Sequence, residues 1–233
     1  MILSMDENMI QKGIIGLIVV VIIGALAWVL MTPPGGSTEG RQVNIALAED
    51  DLRLGDENAP VTLVNFSDLQ CGACAAYDGI INPLLASYDD SEVQYVYRHF
   101  PLRAIHANAD LAAQALEAAA RLGEFEEMKT EIFLNQAQWA QLSTEEAREV
   151  FIGYAESLDL DVDEFEELLD SDEVKSKVER DYQSGVAIGV NATPTFVLNG
   201  RVIANPSSQD EFRALIDAEL GRGEEEALEI DEE

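Results

Sequence analysis

Cysteine and basic residues are both scarce in this sequence. There are two cysteines in 233 residues, so the chain is not one of the disulfide-rich small folds, which need many. Lys and Arg number 14 against 45 Asp and Glu, for a formal net charge of −31. Nucleic-acid binding requires a basic surface, and this balance therefore excludes nucleic acid as an expected partner. With 47% hydrophobic residues, the chain can bury a substantial core without disulfides.

Lysine is the rarest of the charged residue types. The acidic balance indicates a heavily solvated surface, and a second interpretation is adaptation to high salt. The salt hypothesis would gain support if the protein unfolded at low salt and not at molar salt. The lysines are Lys12, Lys129, Lys175 and Lys177.

One long hydrophobic run lies near the N-terminus. Residues 13–31 (GIIGLIVVVIIGALAWVLM) carry no charge, and a helix of this length spans about 28 Å, close to the hydrocarbon thickness of a bilayer. We expect a transmembrane anchor here, preceded by a short flank over residues 1–12. The alternative is a signal peptide, since Ala25-Leu26-Ala27 resembles a cleavage triplet. The apolar run continues past this triplet to Met31, which favours a retained anchor over a cleaved signal peptide.

Composition divides the rest of the chain into three parts. Residues 32–50 begin with a Pro- and Gly-rich stretch and are predicted to be a linker. Residues 51–220 are predicted to form the globular domain, with a mostly helical insertion over about 105–188. Residues 221–233 are predicted to be a disordered acidic tail.

The hydrophobic pattern predicts an α/β domain. Residues 61–66 (VTLVNF) predict a buried strand, a helix begins at or near Cys71, and residues 93–97 (VQYVY) predict a second strand. Such a unit pairs its strands in parallel through a right-handed crossover. The helical block follows, and Asn199-Gly200 then predicts a hairpin before a final helix over about 208–220.

The two cysteines form a C-x-x-C motif, Cys71 to Cys74, at the junction of the first strand and helix. Inert buried thiols are one interpretation. A zinc site would need His99 and His106, whose spacing is too wide for a finger and which have no second C-x-x-C. A thiol-protease nucleophile would leave the second cysteine unexplained. The pattern favours a redox-active dithiol.

The helix explains how such a dithiol works. Residues i and i+3 in a first turn face the same way, so the two sulfurs can bond. Cys71 would lie at the positive end of the helix, which lowers its pKa and makes it the sulfur that forms mixed disulfides. Cys74 would lie one turn deeper, on the apolar face, and resolve them.

Thr193-Pro194 opens the strand that leads into the hairpin. One interpretation is an ordinary trans proline at a strand start. In the other, the bond is cis, Pro194 packs beside the sulfurs, and the backbone of Thr193 can pair with an extended substrate peptide.

These motifs together resemble the DsbA-like thiol:disulfide oxidoreductases of the thioredoxin-fold superfamily, over about residues 51–220. The resemblance implies a thioredoxin fold with a helical insertion, here preceded by one N-terminal transmembrane helix. It also implies a functional centre at Cys71, Cys74 and Pro194. The matching stretches are Ala59–Thr62, Ser67–Cys71, Tyr97–Leu102, Ile105–Ala109 and Gly189–Phe196.

The expected activity is disulfide exchange with exported, cysteine-containing proteins, outside the cytoplasm. A membrane redox partner would reoxidise the dithiol, and no cofactor or metal is expected. Thr193 and Pro194 would bind substrate, with Gly72, Ala73 and Asp68 supporting the site. The alternative is a thioredoxin-fold chaperone or binding module with a structural disulfide.

The sequence departs from the family pattern between the two cysteines. It has Gly72-Ala73 where strongly oxidising members of the family carry Pro-His. No histidine is available there to stabilise the thiolate, so we expect a less oxidising couple. The direction of electron flow stays open. His99 and His106 are predicted to serve structure or capping.

Overall fold

The computed structural model describes residues 40–222. The predicted flank and anchor, the start of the linker and nearly all of the acidic tail lie outside the described residues. Within residues 40–222, no helix is both long enough and apolar enough to cross a bilayer.

Five strands form one mixed sheet in the order β1-β3-β2-β4-β5. β2 and β3 are parallel and are joined by helix α1, which confirms the predicted crossover unit, and the other neighbouring pairs are antiparallel. The strands are β1 (Leu52–Leu54), β2 (Val61–Ser67), β3 (Val93–His99), β4 (Thr195–Leu198) and β5 (Arg201–Val202).

The helical insertion between β3 and β4 contains six helices, α2 to α7, and α8 closes the domain. The fold class predicted from the sequence, a thioredoxin fold with a helical insertion, is confirmed for the described residues. The helices are α1 (Gly72–Leu85), α2 (Ala109–Arg121), α3 (Phe125–Leu134), α4 (Gln136–Trp139), α5 (Thr144–Ser157), α6 (Val162–Asp170), α7 (Asp172–Ala187) and α8 (Gln209–Glu219).

Local sequence signals account for several boundaries. Ser143 and Glu146 form a capping box at the start of α5, each side chain bonding to the other residue's backbone N–H. Asn199 and Gly200 both have positive φ, 45° and 77°, as a tight two-residue hairpin turn requires. Gly185 lets α7 approach the sheet, because a Cβ there would lie 2.6 Å from the ring of Phe100.

Apolar side chains fill both faces of the sheet, since successive strand residues point to opposite sides. Leu63 and Tyr95 belong to the larger core, which includes buried residues of α1, α8 and the insertion. Val64 and Val96 belong to a smaller cluster on the other face, against which Val43 packs.

The segment before β1 is bonded to the sheet edge. Gly40 donates to the carbonyl of Val202, and Val43 donates to that of Gly200, both at 2.7 Å. Part of the predicted linker therefore extends the sheet beyond β5.

Candidate active site

The two cysteines lie where β2 ends and α1 begins. Cys71 is the N-cap residue of α1, with extended backbone dihedrals (φ −80°, ψ 120°). Its thiol is partly exposed, whereas Cys74, one turn later, is 2% exposed. Both are free thiols, and each affects the pKa of the other. The predicted arrangement of one accessible and one buried sulfur is therefore present.

The surroundings separate the acidities of the two thiols. A hydrogen bond from the Cys74 thiol lowers the pKa of Cys71 to about 5, against the opposing effect of partial burial. The backbone N–H groups of Cys74 and Ala73, in the first turn of α1, lower it further. Burial raises the pKa of Cys74 well above that of an ordinary thiol. The N-terminus of α1 lowers the pKa of Cys71 as predicted, but the Cys74 thiol lowers it more.

Asp68 braces the loop between β2 and α1. Its side chain is fully buried, and its carboxylate accepts hydrogen bonds from the backbone N–H groups of Gln70 at 2.7 Å and Leu102 at 2.8 Å. The same carboxylate lies 2.7 Å from Nδ1 of His106. The backbone N–H of Asp68 reaches the sulfur of Cys74 at 3.5 Å. Asp68 thus joins the loop between β2 and α1 to the loop that follows β3.

The helical insertion also holds this loop, through amide side chains that the sequence analysis did not select. Gln136 at the start of α4 donates to the carbonyl of Leu69 at 2.8 Å. Gln70 donates to the carbonyl of Ala140 at 2.6 Å and accepts from the backbone N–H of Asn108 at 2.8 Å. No local pattern marks these residues, because their partners are 38 to 70 positions away.

The loop that contains Thr193 and Pro194 lies beside the sulfur of Cys71. The Thr193-Pro194 peptide bond is cis. The sulfur of Cys71 lies 3.6 Å from the carbonyl oxygen of Thr193. The carbonyl of Pro194 accepts from the side-chain amide of Asn205 at 2.9 Å. Thr193 is thereby placed next to the accessible sulfur from the far end of the sequence.

The structure also shows the surroundings of two further residues named in the sequence analysis, Gly72 and His99. A Cβ added to Gly72 would lie 3.8 Å from the side-chain oxygen of Gln136, so Gly72 leaves space beside the insertion. His99 is buried, with Nε2 3.4 Å from Glu117. Within residues 40–222, no group of three or more His, Cys, Asp or Glu side chains is arranged to hold a metal ion.

The family model described as Thioredoxin matches residues 47–218 of the chain. Among curated proteins, the chain is 35% identical over 184 residues to "Na(+)/H(+) antiporter NhaA 3" of Salinispora tropica, a match that covers 78% of this chain and 27% of that protein. The chain thus spans about a quarter of the length of the curated relatives it matches.

Two solved structures have a similar fold. BdbD from Bacillus subtilis superposes with a TM-score of 0.68 at 24% identity, covering 78% of this chain and 99% of BdbD. Alpha-DsbA1 from Wolbachia pipientis has a TM-score of 0.67 at 19% identity, covering 76% of this chain and 94% of that one. Both likenesses extend over the sheet and the helical insertion together, since they cover about three quarters of this chain.

Proposed function

Because the chain belongs to the thioredoxin family and shares the fold of BdbD and alpha-DsbA1, we propose that it is a DsbA-like thiol:disulfide oxidoreductase that exchanges disulfides with exported proteins through Cys71 and Cys74. One observation carries this proposal: a partly exposed thiol at the N-terminus of α1, with its pKa lowered to about 5, lies one turn before a buried thiol whose pKa is raised. A binding module with a structural disulfide does not require that difference. Thr193, Pro194 and Asp68 would position the substrate and the loop.

The two sulfurs have different tasks in each direction of exchange. In oxidation, a substrate thiolate attacks Cys71 in the Cys71–Cys74 disulfide, and Cys74 leaves and takes up a proton. A second substrate thiolate then displaces Cys71, which leaves as a thiolate stabilised by its low pKa. In reduction, the Cys71 thiolate attacks a substrate disulfide. Cys74 then loses its proton and displaces the substrate from Cys71.

We place this chemistry outside the cytoplasm, with residues 13–31 as the anchor. Protein disulfides persist in oxidising compartments, and a membrane partner there would restore the disulfide or the dithiol. Labelling of Cys71 in intact cells with a membrane-impermeant maleimide tests the location. Labelling only after cell lysis would contradict it.

The activity test compares wild type with Cys71→Ser and Cys74→Ser in insulin reduction and in oxidation of reduced ribonuclease. We expect Cys71→Ser to lose both activities by at least about a hundredfold, since the attacking sulfur is gone. Cys74→Ser should instead accumulate mixed disulfides with substrate, because the resolving thiol is absent. Equal activity of wild type and Cys71→Ser would defeat the proposal.

A second candidate function follows from the curated relatives. The identity to segments of Na⁺/H⁺ antiporters, 35% over 184 residues, exceeds the 24% identity to BdbD. The domain could therefore act as a redox module that associates with a membrane cation transporter. Crosslinking of the Cys74→Ser variant in native membranes distinguishes the two functions. Association with a transporter predicts a single transporter-sized adduct, whereas disulfide exchange with exported proteins predicts many substrate adducts.

A further inference from the structure

His106 is hydrogen-bonded to the loop between β2 and α1. Its Nδ1 lies 2.7 Å from the buried carboxylate of Asp68, and its side chain is 20% exposed. Its backbone N–H donates to the carbonyl of Leu102 at 3.0 Å. The side chain does not cap α2, since the N-cap residue of that helix is Asn108. The imidazole therefore has one fixed orientation and some access to solvent.

The carboxylate of Asp68 determines which ring nitrogen carries the proton. It already accepts the backbone N–H groups of Gln70 and Leu102, and a carboxylate only accepts hydrogen bonds. In the neutral imidazole of His106, Nδ1 is therefore the protonated nitrogen and Nε2 keeps its lone pair. Within residues 40–222, Nε2 has no hydrogen-bond partner. An imidazole oriented in this way by a buried carboxylate has the arrangement of a general base.

Asp68 also connects the imidazole to the reacting sulfur. The carbonyl of Asp68 accepts the backbone N–H of Cys71 at 3.0 Å, so one residue contacts Cys71 through its backbone and His106 through its side chain. Ile105, the residue before His106, lines the same cleft as Thr193. The carbonyl oxygen of Thr193 lies 3.6 Å from the sulfur of Cys71. His106 is thus on the side of the domain from which Cys71 is reached.

Disulfide exchange gains from a base at this place because the attacking group is a thiolate. A free thiol has a pKa of about 8.5 and is about 3% ionised at pH 7. In the oxidised protein, Cys71 and Cys74 are bonded to each other and supply no base. Gly72 and Ala73, between them, have no side chain that accepts a proton. A base that removes the substrate proton at the site can therefore raise the rate by up to about thirtyfold.

The other charged groups around His106 are already paired with one another. Arg103, three residues earlier in the same loop, bonds to Asp110 at the start of α2 and to Glu179 of α7, at 2.9 and 2.8 Å. Among the described residues, Asp68 is the charged side chain in direct contact with the imidazole. Asp68 is thus the charge that compensates the imidazolium formed when Nε2 takes up a proton.

We propose that His106, oriented by Asp68, is the general base for the incoming substrate thiol. The inference rests on the proposed function, because it assigns a further residue to the same reaction. Nε2 takes the proton of the substrate thiol, and the resulting thiolate attacks the sulfur of Cys71. The Cys71–Cys74 bond breaks, its electron pair leaves on Cys74, and Cys74 takes up a proton from water. The imidazolium then releases its proton to water, so the numbers of protons released and taken up are equal.

The test measures the rates at which the oxidised protein is reduced by cysteamine and by selenocysteamine, which differ only in the reacting atom. Cysteamine is mostly a protonated thiol at pH 7, whereas the selenol is already ionised and needs no base. We expect His106→Asn to react about tenfold more slowly than the wild type with cysteamine and equally fast with selenocysteamine. Asparagine places an amide N–H where Nδ1 lies, so the variant keeps the hydrogen bond to Asp68 and lacks Nε2.

Further measurements distinguish a base from a structural support. The difference between wild type and His106→Asn with cysteamine should vanish near pH 10, where this thiol is ionised in solution. His106→Ala should regain its rate with cysteamine when free imidazole is added. His99→Asn is the matched control at the other histidine, which is buried against Glu117. It should keep the wild-type ratio of the two rates, and a ratio within each variant cancels any loss of active protein.

The outcomes separate this inference from the proposed function. If both reductants open the disulfide of the wild type but cysteamine reacts equally fast with His106→Asn at pH 7, the general-base proposal is overturned and the function stands. The general-base proposal also fails if His106→Asn slows both reductants to the same extent, if the difference persists at pH 10, or if imidazole does not rescue His106→Ala. It fails as well if His99→Asn changes the ratio as much as His106→Asn does. If neither reductant opens the disulfide of the wild type, the proposed function itself fails.

Discussion

Two polar clusters, one buried and one partly buried, are built differently. The loop cluster, beside the sulfurs, consists of Asp68, Gln70, His106, Asn108 and Gln136. The ion cluster, between β3, α2, α7 and the segment before β1, consists of Asp51, Arg98, His99, Glu117, Lys177 and Asp181.

The ion cluster consists mainly of paired charges. Arg98 bonds to Asp51 at 2.8 Å, and Lys177 bonds to Asp181 at 2.8 Å and lies 3.9 Å from Asp51. Removing one partner would leave a buried charge uncompensated. The loop cluster consists mostly of neutral amides bonded to backbone groups, with Asp68 as its carboxylate. The contrast indicates that the ion cluster holds the insertion to the sheet, while the loop cluster fixes the geometry of the sulfurs.

Arg98→Met should produce the largest loss of stability. We expect the free energy of unfolding to fall by about 3–5 kcal/mol, since Asp51 would lose its buried partner. Denaturant unfolding measures this change. Arg180→Met is the matched control, because Arg180 pairs with the adjacent Asp50 at the surface, and such pairs contribute about 0–1 kcal/mol. Equal losses in the two variants would remove the distinction between buried and exposed pairs.

Asp68→Asn should affect both stability and chemistry. The amide cannot accept all the hydrogen bonds that the carboxylate now accepts, so we expect a loss of about 1–3 kcal/mol. We also expect the exchange rate to fall about tenfold, because the loop carrying Cys71 would shift. Asp161→Asn serves as the control, since asparagine can still cap the surface helix α6. A stability loss without any rate change would make Asp68 purely structural.

The sequence predicted the parts of the fold that local patterns determine. The strand–helix–strand unit and the Asn199-Gly200 hairpin each follow from neighbouring residues. β1 was missed because it is three residues long and is stabilised by pairing with β3, as Leu52 with Tyr97. The four-residue helix α4 was missed because it is too short to show a periodic pattern.

The candidate site also has some features that local motifs predict and others that they do not. The two cysteines and Thr193-Pro194 were found from motifs, whereas the contact between Cys71 and Thr193 joins residues 122 positions apart. Gln136 and Asn108 act through backbone carbonyls and N–H groups, which leave no signature in the sequence of either partner. The expectation that the helix terminus alone lowers the pKa of Cys71 missed the larger effect of the Cys74 thiol.

The titration of Cys71 distinguishes the two clusters by their effect on the pKa of its thiol instead of their effect on stability. Its alkylation rate in reduced protein should be constant from pH 8 to 6 and fall with a midpoint near pH 5, where its pKa lies. Arg98→Met should keep this midpoint, while Asp68→Asn should lower it, because a negative charge is removed from the loop that carries the thiolate. A midpoint near that of a free thiol, about 8.5, would contradict the assigned role of Cys71.

The same pKa shift links stability to pH. The pKa of Cys71, about 5, is lower in the folded protein than in the unfolded chain, so its stabilisation is complete above about pH 8.5 and is lost as the pH falls through about 5. The free energies of unfolding of reduced wild type and of Cys71→Ser, measured between pH 4 and 8, test this loss. The difference between the two values should shrink as the pH falls. Above that range, Cys74 acts in the opposite direction, since its folded pKa is raised.

Gln136→Ala should have the smallest effect and gives the finest test of the loop cluster. The variant loses the hydrogen bond to the carbonyl of Leu69, 2.8 Å long, which contributes about 1 kcal/mol or less. Because Leu69 precedes Cys71 by two residues, we still expect the exchange rate to fall about threefold, through a looser approach of the sulfur. Gln138→Ala is the control, since Gln138 bonds only to Asn135 at the surface. If the two variants have the same exchange rate, the insertion supports the fold of the loop without tuning its chemistry.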